Sequence, residues 1–195
     1  WTVGRFGNNT EADVYRDNVL VPDAAFCNTN GILYQPVIFP GFAWSNWNGG
    51  PRNAITRAGG NFMWRQVYNI RQAGIGNAYV AMFDEYDEGT AVTRMADSYF
   101  DVPSDQYFLT TSADGHYRSP DFYMRLTGKA TRVIRGEDPL TLEMPVPASA
   151  GPVWFRTSFE NEYDALPEWV DNPDPSIPVA GISGYAGSAS PPECS

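Results

Sequence analysis

The sequence predicts an α/β fold, because short apolar runs typical of strands alternate with amphipathic helical patterns. The two strand-like runs are 36–39 and 78–83, and the two helical patterns are 60–73 and 119–135. Their order along the chain is strand, helix, strand, loop, helix. This order is typical of a parallel sheet whose strands are joined by helices.

The two runs read as buried strands. Pro36-Val37-Ile38-Phe39 is rich in β-branched and aromatic residues, and Pro40-Gly41 ends it. Ala78-Tyr79-Val80-Ala81-Met82-Phe83 is apolar at every position. We therefore expect the second run to be covered by helices on both faces, as in parallel sheets.

The helical patterns have recognisable ends. In 60–73, apolar residues recur at a spacing of three or four, and Gly74 stands where the helix would stop. In 119–135 a similar apolar stripe is bounded by Ser119, which is suited to capping, and by Gly136. Each pattern predicts one amphipathic helix that packs on the sheet.

Composition limits the partners of the chain. Its 195 residues are 43% hydrophobic and 18% charged, which is typical of one globular domain. A net charge of -10 argues against nucleic acid and anionic membranes as partners, and no apolar run reaches the length of a membrane span. The chain begins with Trp1 rather than Met, so we expect that a preceding segment has been removed.

Two features favour an extracellular location. Asn8-Asn9-Thr10 matches the N-glycosylation tripeptide, and the chain is poor in Lys and rich in Trp and Tyr. Cys27 and Cys194 are consistent either with one long disulfide loop or with two reduced thiols. We predict a secreted protein.

The texture changes near 136–147, which divides the chain into 1–136 and 137–195. Thr141 to Val146 and Val153 to Phe159 read as two strands separated by a Pro/Gly turn. The second part is therefore predicted to be β-rich. Its last thirty residues, dense in Pro, Gly, Ser and Asp, form either a loop-rich edge or a flexible tail.

The acidic turn, Asp84-Glu85-Tyr86-Asp87-Glu88-Gly89-Thr90, directly follows the second strand. Binding residues of parallel α/β folds lie after the carboxyl ends of strands. Glu85 and Glu88 would lie on one side of a helical segment, and nearby like charges separate their pKa values. One protonated and one ionised carboxyl group suit glycoside hydrolysis. The alternatives are a solvated acidic loop, a helix cap or, less well matched because of Tyr86, a calcium site.

A second loop, 42–56, combines aromatic and amide side chains after the first strand. Trp faces bind the apolar faces of sugar rings, while Asn and Arg donate to hydroxyl groups. This loop therefore predicts a sugar-binding platform, unless its Trp side chains simply fill the core. The candidate substrate-binding residues are Trp44, Asn46, Trp47, Asn48 and Arg52, together with Asp84 and Tyr86 of the acidic turn.

Other chemistry has little support. Trp64, Arg65 and Gln66 lie within the predicted helix 60–73 and are expected to be structural, and the sole histidine, His116, is expected in a surface turn. With one His and two distant Cys, no zinc site is predicted. There is no nucleophile elbow and no phosphate-binding Gly-rich loop, so we expect neither a cofactor nor a metal.

Three stretches together resemble the glycoside hydrolase family 99-like proteins, relatives of the endo-α-mannosidases, and their xylosidase/arabinosidase-type branch in particular. They are Val37-Ile38-Phe39-Pro40-Gly41-Phe42, Phe62-Met63-Trp64-Arg65-Gln66 and Phe83 to Thr90. Family 99 enzymes carry an Asn-Glu-Trp-x-Glu-Gly-Thr signature at a late strand of a (β/α)8 barrel. The resemblance covers about the first 135 residues, and it implies the later part of such a barrel.

The resemblance also implies roles for the two glutamates. Glu85 matches the carboxylate that assists the 2-hydroxyl of the substrate, and Glu88 matches the general acid/base. Asp84 and Tyr86 replace the Asn and Trp of the signature, which bears on mannoside specificity more than on the chemistry.

A whole barrel needs about 250 residues, so the resemblance implies a partial barrel. We expect another chain or fragment to complete it, and 137–195 to begin a carbohydrate-binding module. Two functions follow: a secreted retaining glycosidase, or a lectin-like protein that binds carbohydrate without cleaving it.

Overall fold

A computed structural model describes residues 2–150. The predicted strand 153–159 and Cys194 lie outside the described residues. The elements, in chain order, are α1 (Asn9–Tyr15), a π-helical turn (Arg16–Leu20), α2 (Val21–Thr29), β1 (Val37–Ile38), α3 (Ser45–Asn48), a 3-10 turn (Ala58–Gly60), α4 (Asn61–Gln72), β2 (Tyr79–Val80), a 3-10 turn (Tyr99–Asp101) and α5 (Phe122–Ile134). No helix among them is both long enough and apolar enough to cross a bilayer.

The N-terminal helices were not predicted from the sequence. α1 begins at its N-cap residue Asn8, whose Oδ1 accepts from the Glu11 amide at 2.9 Å, and the Glu11 carboxylate accepts from the amide of the preceding residue, Gly7, at 2.7 Å. α2 buries none of its residues, so it lacks the apolar stripe that reveals a helix in a sequence. The Asn of the glycosylation tripeptide is thus also a helix cap.

The sheet consists of β1 and β2, which pair in parallel with Val37 opposite Tyr79 and Ile38 opposite Val80. α4 connects them, so the α/β prediction is confirmed. The expectation that the second strand is buried on both faces is wrong, because Tyr79 is 43% exposed whereas Ile38 is fully buried. Within residues 2–150 Ile38 and Val80 pack against the main helical core on one face of the sheet. On the other face Val37 packs against a smaller cluster that includes Phe62 of α4, while Tyr79 stays largely exposed.

Helices α4 and α5 form most of the core. Both were predicted, and both end near the glycines that the sequence marked, Gly74 and Gly136. α5 begins later than expected: Asp121 is its N-cap residue, and Ser119 belongs to the turn before it. The two helices bury against each other Met63, Trp64, Val67, Ile70, Phe122, Tyr123, Leu126, Ala130, Val133 and Ile134.

Three consecutive residues of α4 form hydrogen bonds with the surrounding chain, which confirms the predicted structural role of 64–66. Trp64 is buried, and its indole N–H donates to the Thr141 carbonyl at 3.0 Å. Arg65 forms an ion pair with Asp13 of α1, with Nε 2.7 Å from Oδ1. Gln66 forms hydrogen bonds with both backbone groups of Phe39, the residue that follows β1.

The predicted strand at 141–146 is wrong. The segment has no strand pairing in the described residues and lies against the helical core. Val146 is buried, and the Ala148 carbonyl accepts from the Ser119 amide at 2.9 Å. Of the segment's three alternating apolar residues, Met144 and Val146 pack on the helical core, whereas Leu142 is 55% exposed. The proposed division between 1–136 and 137–195 stays a prediction.

Candidate functional site

The acidic turn follows β2 through a cis Ala81–Met82 peptide bond. It is a hydrogen-bonded turn and not the start of a helix, with the Thr90 amide donating to the Glu85 carbonyl at 3.1 Å. Gly89 adopts φ 64°, and a Cβ added there would lie 3.0 Å from Ala43 Cβ. The turn therefore requires glycine both for its conformation and for its close approach to 42–56.

Glu85 is tied to the turn itself. Its Oε1 accepts from the Asp87 amide at 2.9 Å and from the Glu88 amide at 3.4 Å. These bonds satisfy backbone donors in the turn, so the carboxylate has a capping role besides any chemical one. The bonded oxygen is Oε1, and no described residue is bonded to Oε2.

Glu88 lies in a different environment. Its side chain is half-buried. Burial, and then the negative charge of Glu85, raise the pKa of Glu88 above its ordinary value. The protonated form is therefore favoured relative to a free glutamate. A carboxyl group held in this way is suited to donate a proton.

Replacing Glu88 with Gln is expected to stabilise the fold at pH 7 and to have no such effect in acid. The folded state holds the Glu88 proton more tightly than the unfolded state, so this group favours folding at low pH and loses that contribution as the pH rises through its folded pKa. The measurement is the free energy of unfolding in urea, for wild type and variant, from pH 4 to pH 8. Asp84→Asn, which removes an exposed charge from the same turn, is the control; a pH-independent gain in Glu88→Gln would contradict the assignment.

The tryptophans of 42–56 form a stacked pair. Trp44 and Trp47 lie with ring centroids 5.0 Å apart and planes inclined by 27°. Trp44 is half-buried against Phe42, whereas Trp47 is 61% exposed. The core-filling alternative is therefore wrong for Trp47, whose ring is open to solvent.

Hydrogen bonds join the acidic turn to the loop 42–56, which we call the aromatic loop. The Ala43 amide donates to the Glu88 carbonyl at 2.8 Å, and Asn46 Nδ2 donates to Asp87 Oδ1. Asn46 Oδ1 in turn accepts from the Tyr107 amide at 3.4 Å. The two regions chosen from the sequence thus meet on one surface. We call this the site surface, and it consists of Asn46, Trp47, Asp87, Glu88 and Tyr107.

The other predicted binding residues differ in whether their polar groups already have hydrogen-bond partners in the protein. Asn48 Oδ1 accepts from the Gly50 amide at 3.0 Å, so it shapes its own loop. Tyr86 donates its hydroxyl to the Arg94 carbonyl at 3.1 Å. Asp84 is exposed. Asn48 and Tyr86 thus join Glu85 and Asn46 as candidates whose polar groups already form hydrogen bonds within the protein.

The structure adds Arg57, which sequence reasoning missed. Its side chain is 3% exposed, and Nη2 donates to the carbonyls of Gly89 and Ala91 at 2.8 and 2.9 Å. The guanidinium lies over the Tyr123 ring, 4.4 Å from its centroid, and burial lowers its pKa. Arg57 thus anchors the end of the acidic turn to α5. Arg57 directly follows the loop 42–56, and this position is the one feature of the sequence that could have indicated its role.

His116 contributes to loop structure. It is half-buried, and its amide donates to Asp114 Oδ1 at 3.3 Å, while Asp114 Oδ2 accepts from the Gly59 amide at 2.6 Å. In residues 2–150 no group of three or more His, Cys, Asp or Glu side chains is arranged to hold a metal ion.

No protein-family model and no curated protein matches the sequence. The fold is similar to that of the glycoside hydrolase family 99 endo-α-mannosidase from Bacteroides thetaiotaomicron, with a TM-score of 0.52 and 15% identity over 67% of this chain and 35% of that one. The fold matches part of a family 99 glycosidase domain. A second structure of the endo-α-mannosidase, in complex with bis-tris-propane, gives a TM-score of 0.48 and 16% identity over 66% of this chain and 36% of that one.

The match confirms at the level of fold the family 99 resemblance that the sequence carried. This chain spans about a third of the length of the two structures it matches. The segment of the barrel to which the two strands correspond, the roles of the glutamates and any activity stay predictions.

Proposed function

We propose that this chain carries the catalytic carboxylates of a retaining glycoside hydrolase. The observation that carries the proposal is the contrast between two carboxyl groups of one strand-end turn. Glu88 is half-buried with a raised pKa, whereas Glu85 is held by backbone N–H groups. Environments that differ in this way divide the tasks of acid and base between two carboxyl groups.

In the proposed reaction, protonated Glu88 donates its proton to the glycosidic oxygen as the bond to the anomeric carbon breaks. Glu85 accepts the proton of the 2-hydroxyl, so that the 2-oxygen bonds to the anomeric carbon as the leaving group departs. Glu88, now ionised, then removes a proton from the water that attacks the anomeric carbon. The bond from that carbon to the 2-oxygen breaks, and the 2-oxygen takes its proton back from Glu85. The carboxylates return to their starting states, and two displacements at one carbon retain its configuration.

The substrate is a polysaccharide or glycan that lies on the site surface. The exposed ring of Trp47 offers an apolar face for a sugar, and Asn46 and Arg52 offer donors. Within residues 2–150 the parallel sheet has two strands, so both of its outer edges are unpaired there, whereas parallel sheets are normally covered and extended. We therefore propose that further strand and helix units, from another chain or fragment, complete the active domain. The extracellular location also remains a proposal.

The test is hydrolysis of a panel of α- and β-glycosides, with the anomeric configuration of the first product followed by proton NMR. The proposal predicts hydrolysis with retention. Inversion would contradict the roles given to Glu85 and Glu88, and an absence of turnover in the completed domain would remove the enzyme proposal altogether.

A lectin-like function is the second candidate, and one observation favours it. The Glu85 carboxylate caps the turn through two amides, an arrangement that shapes a loop without any catalysis. A protein that kept the stacked tryptophans of 42–56 and lost turnover would still bind sugar. Binding without hydrolysis across the glycoside panel would favour this candidate.

Trp47→Ala is expected to weaken glycan binding about tenfold or more under either candidate, because exposed aromatic anchors dominate such interfaces. Isothermal titration calorimetry with the glycan that wild type binds best gives the affinity. The control is Phe26→Ala on α2, which truncates a ring of similar exposure, 63%, away from the site surface. Equal losses in the two variants would contradict a role for Trp47.

A further inference from the structure

Arg52 carries an unused positive charge beside the site surface. Its side chain makes no hydrogen bond and no ion pair with any residue of 2–150. By contrast, Arg57 donates to two backbone carbonyls, and Arg65 forms an ion pair with Asp13. The charge of Arg52 is therefore available to a ligand.

The position of Arg52 is nevertheless defined. Its Cζ lies 4.5 Å from the centroid of the Tyr107 ring, a cation–π contact. The backbone of Tyr107 is held on both sides, since its amide donates to Asn46 Oδ1 and its carbonyl accepts from Ser45 Oγ at 3.1 Å. Tyr107 is 51% exposed, so the pair forms part of the open surface next to Asn46.

The chemistry of this pair fits an anion better than a neutral hydroxyl group. A guanidinium presents five N–H donors in a planar fork, which matches the two oxygens of a carboxylate. Contact with an aromatic face orients the group without using those donors. A sugar hydroxyl would engage only part of the fork and would leave the charge unmatched.

We propose that Arg52, supported by Tyr107, is a specificity-determining residue that binds the carboxylate of an acidic sugar. The preferred glycan then carries a uronic acid residue next to the sugar that lies on Trp47. This inference rests on the proposed function, because it assumes that the site surface binds carbohydrate.

The net charge of -10 disfavours a densely charged polyanion along the whole surface, but one carboxylate at Arg52 is a local contact. Repulsion between exposed charges is largely screened beyond about 8 Å at physiological ionic strength. The nearby carboxylate of Asp87 accepts from Asn46 rather than from Arg52. A uronate carboxylate would therefore meet a cation that no described acidic side chain neutralises.

The test compares two ligands that differ in one group: a glucuronate-bearing oligosaccharide and the same oligosaccharide with its carboxyl group reduced to an alcohol. Calorimetry is expected to show about tenfold tighter binding of the acidic form by wild type, the effect of one charge-assisted contact. Arg52→Gln should abolish the difference between the two ligands. Arg52→Lys should keep part of it, because the charge remains while the planar fork is lost.

Arg71→Gln is the matched control, since it removes the same charge from the last turn of α4, which leads to the opposite end of the sheet. It should keep the full preference. Equal binding of the two ligands by wild type, or a preference that survives in Arg52→Gln, would overturn this inference and leave the proposed function intact. Failure of both ligands to bind, with turnover of another glycoside by the same protein, would overturn this inference alone. Failure to bind or hydrolyse any member of the glycoside panel would overturn both.

Discussion

Glu88→Gln is expected to lower glycoside turnover by about two to four orders of magnitude, the usual contribution of a general acid/base. The amide is nearly the same size as the carboxylic acid but cannot give up a proton to the leaving oxygen. The Glu88 backbone carbonyl, which accepts from the Ala43 amide, is untouched, so the turn should keep its place beside 42–56. We therefore expect kcat to fall while the affinity for the glycan stays within about twofold.

Comparing glycosides with good and poor leaving groups isolates the role of Glu88 as the acid. A glycoside with a good leaving group, such as a dinitrophenol, needs little protonation, so it should recover much of its first-step rate in Glu88→Gln. Glu137→Gln makes the same chemical change at an exposed position after α5, away from the site surface, and serves as the matched control. Wild-type turnover of the unactivated glycoside by Glu88→Gln would end the assignment of Glu88 as the acid.

Gln66→Met is expected to destabilise the fold by about 2–5 kcal/mol, because it leaves two buried backbone groups without partners. The Phe39 amide donates to Gln66 Oε1 at 3.0 Å, and Gln66 Nε2 donates to the Phe39 carbonyl at 2.8 Å. The side chain thus acts as a strand partner for the residue just after β1. Methionine fills a similar volume, so the loss reports the hydrogen bonds rather than a cavity.

Gln72→Met provides the same chemical change at the exposed end of α4. The Gln72→Met variant should lose no more than about 0.5 kcal/mol of its free energy of unfolding, as for most surface substitutions. The free energy of unfolding in urea at pH 7 measures both variants. Similar losses at the two positions would show that the buried amide does not support the chain that leads into the aromatic loop.

The parts of the fold that were predictable have strong local patterns. α4 and α5 each carry a continuous apolar stripe and a terminal glycine, and both were found close to their true ends. α2 has no buried face, so its sequence lacks that signal. The error at 141–146 arose because apolar residues can alternate along a segment that forms no strand: Met144 and Val146 pack on the helical core, and Leu142 is 55% exposed.

The site divides in the same way. The acidic turn and the aromatic loop were found because each directly follows an apolar run, and a parallel sheet brings such loops together. Arg57 and Tyr107 were missed because their roles depend on contacts with Gly89, Ala91 and Asn46 that no local pattern records. The sequence allowed two interpretations of Trp47, a sugar-binding platform or a core side chain, and only the folded chain shows that its ring is exposed.

The central claim is that the aromatic loop and the acidic turn form one carbohydrate site. It is tested most directly by NMR of the 15N-labelled protein titrated with a panel of neutral oligosaccharides. We predict saturable shifts of the Trp44 and Trp47 indole N–H signals together with the backbone amides of 85–89. The Trp64 indole N–H donates to the Thr141 carbonyl in the core. Its NMR signal should not shift and serves as an internal control. Shifts confined to other parts of the chain, or none with any member of the panel, would contradict the claim.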